Sequence, residues 1–260
     1  MADTSMAQPA PIGGAFSVGA VLKRGFSTYF ANLVPFTVLA LIFYLPSLIF
    51  GFSTSMSIGV GVEVQTVPEY SATDAIGMLL AFILTYVLVG ALVFGTVQHL
   101  NGRKAGIGDI VGRGFSRIVP VIVIAILFSI AIGVGFSLLI IPGIFLLVAW
   151  AAVIPASVVE RPGIFGAFSR SWNLTKGYRW KVLGVLLVLL VIWIVISLIV
   201  GTVAGIVVFT SGDLTLLVVA NYVASAIAGA VMSVMIAVLY HDLRVAKEGV
   251  STAQIAAVFD

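Results

Sequence analysis

Few side chains in this sequence are able to do chemistry. There are two histidines, His99 and His241, ten acidic residues, thirteen Lys and Arg, and no cysteine. Without thiols, disulfides, thiolate nucleophiles, iron–sulfur clusters and cysteine-type zinc sites are excluded. One polar set is notable: His99, Arg103, Glu160, Arg161, His241, Asp242 and Arg244 all follow long apolar runs. If those runs pack side by side their ends converge, and imidazole beside carboxylate can hold a metal or relay a proton. Their spacing matches no metal-ligand motif, so neither a metal nor a cofactor is expected. A second set is cationic and aromatic: Lys23, Arg24, Arg113, Arg117, Arg170, Trp172, Lys176, Arg179 and Lys181. Such residues hold lipid headgroups at a membrane surface. There is no G-x-S-x-G, P-loop or H-E-x-x-H, and no carboxylate pair in apolar surroundings, so no enzyme is expected.

The elements that must position these groups follow from composition. Of 260 residues, 61% are hydrophobic and 9% charged, and mean hydropathy is +1.24. Soluble domains carry about a quarter charged residues. So few charges cannot cover a globular surface, which excludes a soluble enzyme, a disordered chain and a nucleic-acid binder. The expected fold class is all-α, a polytopic integral membrane protein. Residues 1–14 are small, polar and Pro/Gly-containing and read as a tail. They show no basic stretch followed by an apolar core, so no cleavable signal peptide is expected.

Five runs lack Asp, Glu, Lys and Arg: Leu33 to Phe52, Ile76 to Val97, Ile118 to Val159, Val182 to Phe209 and Leu216 to Leu239. As one helix the third would extend roughly 63 Å, twice the hydrocarbon thickness. It divides near Gly133 to Gly143, where Gly133, Gly135, Pro142 and Gly143 weaken helix. Six spans result, at about 33–52, 76–97, 118–138, 141–159, 182–209 and 216–239, within a membrane domain of 15–245 and before a C-terminal tail of 246–260. With both termini cytoplasmic, all 13 Lys and Arg fall on the inner side. The outer loops then hold Glu63, Glu69, Asp74 and Asp213 and no basic residue. This bias predicts orientation in a bacterial inner membrane. No ionisable residue lies deep in a run, unlike the usual ion-coupled pump.

Three short segments preceding spans resemble one another. They are Lys23-Arg24-Gly25-Phe26-Ser27, Gly112-Arg113-Gly114-Phe115-Ser116 and Ser169-Arg170-Ser171-Trp172-Asn173. Each has Arg, a small residue, an aromatic and a small polar residue, and each opens a two-span hairpin, which suggests a threefold repeat. Amphipathic helices are expected at about 15–31, 106–117 and 163–176. The apolar arc is Val18, Leu22, Phe26, Tyr29, Phe30 and Leu33 in the first, opposite Lys23, Arg24, Ser27 and Thr28. In the second, Ile107, Ile110, Val111, Phe115 and Ile118 oppose Asp109, Arg113, Ser116 and Arg117. In the third, Ile164, Phe165, Phe168 and Trp172 form the stripe. Such helices lie in the interface, either only anchoring the hairpins or presenting a basic surface to headgroups or a protein partner. Gly201 and Gly205, with the stripe Ala220, Ala224 and Ala228, are expected to bring the last two spans together.

Residues 142–181 carry a longer pattern. Pro142-Gly143-Ile144 starts a span, and Pro155 and Glu160 follow at its inner end. Then come Ala167-Phe168-Ser169-Arg170-Ser171-Trp172-Asn173-Leu174-Thr175-Lys176-Gly177 and Trp180-Lys181. This resembles bacterial inner-membrane families that include the YciC-like proteins and the membrane domain attached to glycerophosphoryl diester phosphodiesterases. The resemblance implies a six-helix membrane domain without the catalytic barrel. The motif itself reads either as a folding corner or as a binding element. The function expected is non-enzymatic, in envelope or membrane-lipid homeostasis, by contact with anionic headgroups or as a scaffold. The alternatives are a transporter or channel for an uncharged or amphipathic solute, and a subunit of a membrane complex. Membrane lipids are the expected partners, with no nucleic acid.

Overall fold

The computed structural model describes residues 16–57, 72–103, 105–211 and 214–249. The expected tail 1–14, most of the expected outer loop with Glu63 and Glu69, Asp213, and the chain from Val250 onward lie outside the described residues. Every regular element described is an α-helix: α1 (Val18–Ala31), α2 (Leu33–Ser57), α3 (Ala72–Leu100), α4 (Ile107–Ser116), α5 (Ile118–Leu138), α6 (Ile140–Ala149), α7 (Val153–Val159), α8 (Ile164–Thr175), α9 (Arg179–Ser211) and α10 (Leu214–Glu248). Helices are the natural form of such runs, because hydrocarbon offers backbone groups no other partner. Five candidate spans are long and apolar enough to cross a membrane: α3, α5, Ile140–Val159, α9 and α10. A sixth comes from α1 and α2 taken together, which bend by 84° at their junction. The chain is a multi-pass helical membrane protein.

The long apolar run does divide where glycine and proline gather. Leu139 alone, in an extended conformation, separates α5 from α6. The fourth span, expected as one helix over 141–159, is broken again at Trp150–Ala152 between α6 and α7. Pro155 is the physical cause, since it has no N–H and its ring crowds the carbonyl four residues earlier. The last helix runs beyond the expected 239 to Glu248. Residues 246–248 therefore belong to α10 rather than to a tail.

The spans that end hairpins form the inside of the bundle. Over their most apolar windows α3, Ile140–Val159 and α10 are 39%, 44% and 44% buried, against 22% for α5 and 17% for α9. Val93 of α3, Val158 of α7 and Ala237 of α10 pack in one cluster with Val121 of α5. Of the outer spans, α2 packs against α3 and α10, α5 against α3, α6 and α7, and α9 against α10. Contact between α9 and α6 is slight, so the third seam of this ring is incompletely closed.

The three short amphipathic helices dock alike. Gly25 of α1 lies on Met235 of α10. At Gly114 of α4 a Cβ would stand 2.7 Å from the Val87 carbonyl and 3.0 Å from Ala91 Cβ of α3. Ser171 of α8 bonds the backbone of the break between α6 and α7. These are the matched small residues of the sequence pattern, and Val21, Ile110 and Ala167, one turn earlier, are all buried with them. Each helix thus docks on an inner span through small side chains. Other bulky apolar side chains of these helices stay on the outside: Phe165 is 81%, Ile107 53% and Phe115 48% exposed. Two assignments are corrected. Thr28, expected on the polar face, is buried, because the docking face is turned from the apolar arc toward Val21, Gly25 and Thr28. Gly201 and Gly205 are exposed with nothing within 4 Å of a Cβ. The inward face of α9 is instead Val182, Val185, Leu189 and Ala204.

Candidate functional site

The polar ends of the inner spans gather into two ionic groups. Around Glu160, Arg170 donates from Nε at 2.5 Å and from Nη2 at 2.9 Å, Tyr240 donates its hydroxyl at 2.6 Å, and Arg244 Nε lies at 3.9 Å. Glu248 accepts from Arg170 and, at 2.9 Å, from Arg244. The bonds to Glu160 hold the Arg170 guanidinium pKa above its already high ordinary value, so it stays charged at any cellular pH. Separately, Arg24 pairs with Asp242, whose carboxylate lies 3.3 Å from His241 Nδ1. Of the seven residues expected to converge, the structure joins Glu160 with Arg244 and His241 with Asp242. His99 and Arg103 are exposed near the end of α3, and exposed Arg161 sits in the turn after α7 with φ +59°. Among the described residues no three His, Cys, Asp or Glu are grouped to hold a metal.

The cationic set divides by whether its charges are met. Arg24 and Arg170 are neutralised within the protein, which makes them ties between α1, α8 and α10. Lys181 donates to the Phe16 carbonyl at 2.9 Å. Lys23 and Lys176 are exposed, and the half-buried Arg117 has a buried Nε without a partner among the described residues. Arg113 lies over the Phe94 ring at 5.0 Å. Arg179 is held by two rings, its guanidinium 4.4 Å from the Trp172 centroid and 4.6 Å from that of Phe145. Cations stacked on aromatic faces are stabilised by the ring quadrupole. Yet Arg179 Nε and Nη2 are buried and bond nothing among the described residues, leaving their hydrogen-bonding capacity unmet.

The α8–α9 corner positions Arg179. Gly177, with φ +89°, turns the chain after α8 as its glycine suggests, since only that residue enters this region without strain. Two side chains that the sequence marked only as members of a motif hold α8 in place. Ser171 Oγ donates to the Ala149 carbonyl at 3.0 Å and accepts from the Ala152 N–H at 3.1 Å, and Thr175 Oγ1 lies 3.1 Å from the same carbonyl. They satisfy the backbone freed by the break, which is obligatory in a buried site. Pro155 was the available signal, because a proline there demands outside partners for the preceding turn. Replacing Ser171 with Ala is expected to cost about 1–3 kcal/mol, the penalty for a stranded buried amide. Thermal unfolding in detergent would measure it, and Ser171→Thr should retain more stability than Ala.

Beside this corner lies the open seam. A groove of about 850 Å³ runs between α6, α9 and α10, walled by Ile144, Leu147, Leu183, Leu186, Leu190 and Trp193, with Ser225, Ala228 and Gly229 on the α10 side. A second pocket of about 410 Å³ adjoins it at the shared residues Ile144 and Leu183, and its wall includes Phe145, Trp180 and Arg179. The two adjoining apolar pockets together make a trough whose outlying part has a ring-held arginine in its wall. The geometry suits an amphiphile with an anionic end. It does not offer the polar cavity that a hydrophilic solute requires.

No curated protein and no solved structure matches the chain. A family model described as "Domain of unknown function (DUF7847)" matches residues 18–243, a stretch that runs from the start of α1 to the ionic end of α10. The chain belongs to that DUF7847 family.

Proposed function

We propose that this protein is a phospholipid-binding protein of the bacterial inner membrane, with both termini cytoplasmic, acting by binding rather than catalysis. The observation that carries the reading is the trough between α6, α9 and α10 ending at Arg179. Acyl chains lie along its leucines, and the phosphate lies against the guanidinium whose Nε and Nη2 have no acceptor among the described residues. Charge-assisted bonds of Arg to phosphate are among the strongest available to a protein. Threading the sequence through six spans would set all 13 Lys and Arg on one side, and this bias supports the orientation. The resemblance of residues 142–181 to membrane domains fused to a lipid-related enzyme agrees with a lipid role.

Native mass spectrometry of the protein released from phosphatidylglycerol nanodiscs tests this. One phospholipid should be retained. Arg179→Gln should lower its retention about tenfold, the loss of one charge-assisted contact. Ala228→Trp, which fills the trough, should do the same without disturbing the Glu160 ion pairs. Retention by either variant as high as in the parent, or no retained lipid in the parent, would count against the proposal.

A further inference from the structure

The repeat places an arginine on each docking helix, and two of the three are neutralised. Arg24 meets Asp242, and Arg170 meets Glu160 and Glu248. Arg113, at the matching place on α4, has no carboxylate partner among the described residues and meets Phe94 instead. Beside it opens a cavity of about 520 Å³ between α3 and α4, lined also by Gln98, Arg103, Asp109 and Ser116. That volume lies within the range of about 300–1,000 Å³ usual for small-molecule sites. It shares no lining residue with the trough at Arg179.

From this arrangement we infer that the α3–α4 cavity is a receptor for a phosphoester bearing a primary amine, the ethanolamine type of headgroup. The phosphate bonds Arg113 and Arg103, and the ammonium bonds Asp109. A bare anion would leave the Asp109 carboxylate facing like charge, whereas a zwitterion meets both signs. Gln98 adds an acceptor with unmet capacity, its buried Oε1 having no donor among the described residues. Cations and an anion lining one cavity select a ligand by where its charges sit, which is a question of pattern more than of net charge. Ile107 and Phe115, exposed on the same helix, put the cavity beside apolar surface of the kind that enters a bilayer interface.

Two arms identify the source of the headgroup. The full chain is reconstituted in nanodiscs of equal phosphatidylethanolamine and phosphatidylglycerol, and retained lipids are counted by native mass spectrometry. In parallel, the detergent-solubilised protein is titrated calorimetrically with free phosphoethanolamine and with inorganic phosphate. In the arm that responds, Arg113→Gln should weaken binding about tenfold, as expected for one charge-assisted contact. Asp109→Asn should remove the preference for the amine, shifting retention toward phosphatidylglycerol or equalising the two soluble ligands. Asp109 is exposed, so its variant tests the idea even if Arg113→Gln does not fold. If neither arm depends on Arg113, or if Asp109→Asn leaves the amine preference intact, the inference is overturned. Arg179→Gln should remove only the lipid held in the trough and leave the dependence on Arg113 and Asp109 intact, which separates the two sites.

Discussion

Glu160→Ala should be the most damaging single truncation at the polar end, lowering stability by about 2–3 kcal/mol. One carboxylate accepts from Arg170 twice and from Tyr240 and lies near Arg244. Removing it leaves the Arg170 guanidinium, 27% exposed, with Glu248 as its remaining carboxylate and strands the hydroxyl of Tyr240, which is buried. Fully buried pairs lose about 3–5 kcal/mol when broken, and the partial exposure of this one lowers the figure. Glu248→Gln touches only the more exposed side of the network and should cost less than about 1 kcal/mol. Apparent melting temperatures in one detergent, taken for both variants, provide the comparison. If the two variants melt alike, Glu160 does not organise this end of the bundle.

Gly114→Leu should cost about 3 kcal/mol, the upper end for overpacking. The obstacle is the Val87 carbonyl of α3, 2.7 Å from the place of a Cβ, and backbone inside a helix cannot yield as a side chain does. The corresponding contact of Gly25 is the flexible end of Met235, so Gly25→Ala should be far milder. Gly201→Ala, with nothing within 4 Å, should be neutral or stabilising by up to about 1 kcal/mol through helix propensity. Thermal unfolding of the three variants ranks them. A destabilised Gly201→Ala would mean that this face of α9 is packed against another molecule.

The repeat was legible because its spacing combined a small residue with an arginine before each hairpin. The use of the small residue was not legible. From periodicity, Gly25, Gly114 and Ser171 lie beside polar positions, and the apolar arcs read as interfacial faces, so no side of these helices stood out as the one that docks. Acyl chains cover bulky apolar groups as well as protein does, while close approach of backbones requires small residues. The same reasoning explains Gly201 and Gly205. A G-x-x-x-G pair permits close packing, but whether a helix stands there is settled elsewhere in the chain.

Hydropathy and charge are properties read along one dimension, and they alone determined the helical class, the apolar segments and the gathering of Lys and Arg between them. The solvent acts on each segment separately, so no knowledge of neighbours was needed. Pairing of charges is a property of three dimensions. Glu160 and Glu248 are 88 positions apart in the chain and share Arg170, while Asp242 takes Arg24 from the opposite end. Only the tertiary arrangement could separate the arginines that hold the bundle together from Arg113 and Arg179, whose capacity for an acceptor is still open. Coulomb attraction and hydrogen bonding act over a few ångströms of space, regardless of the length of chain between the partners.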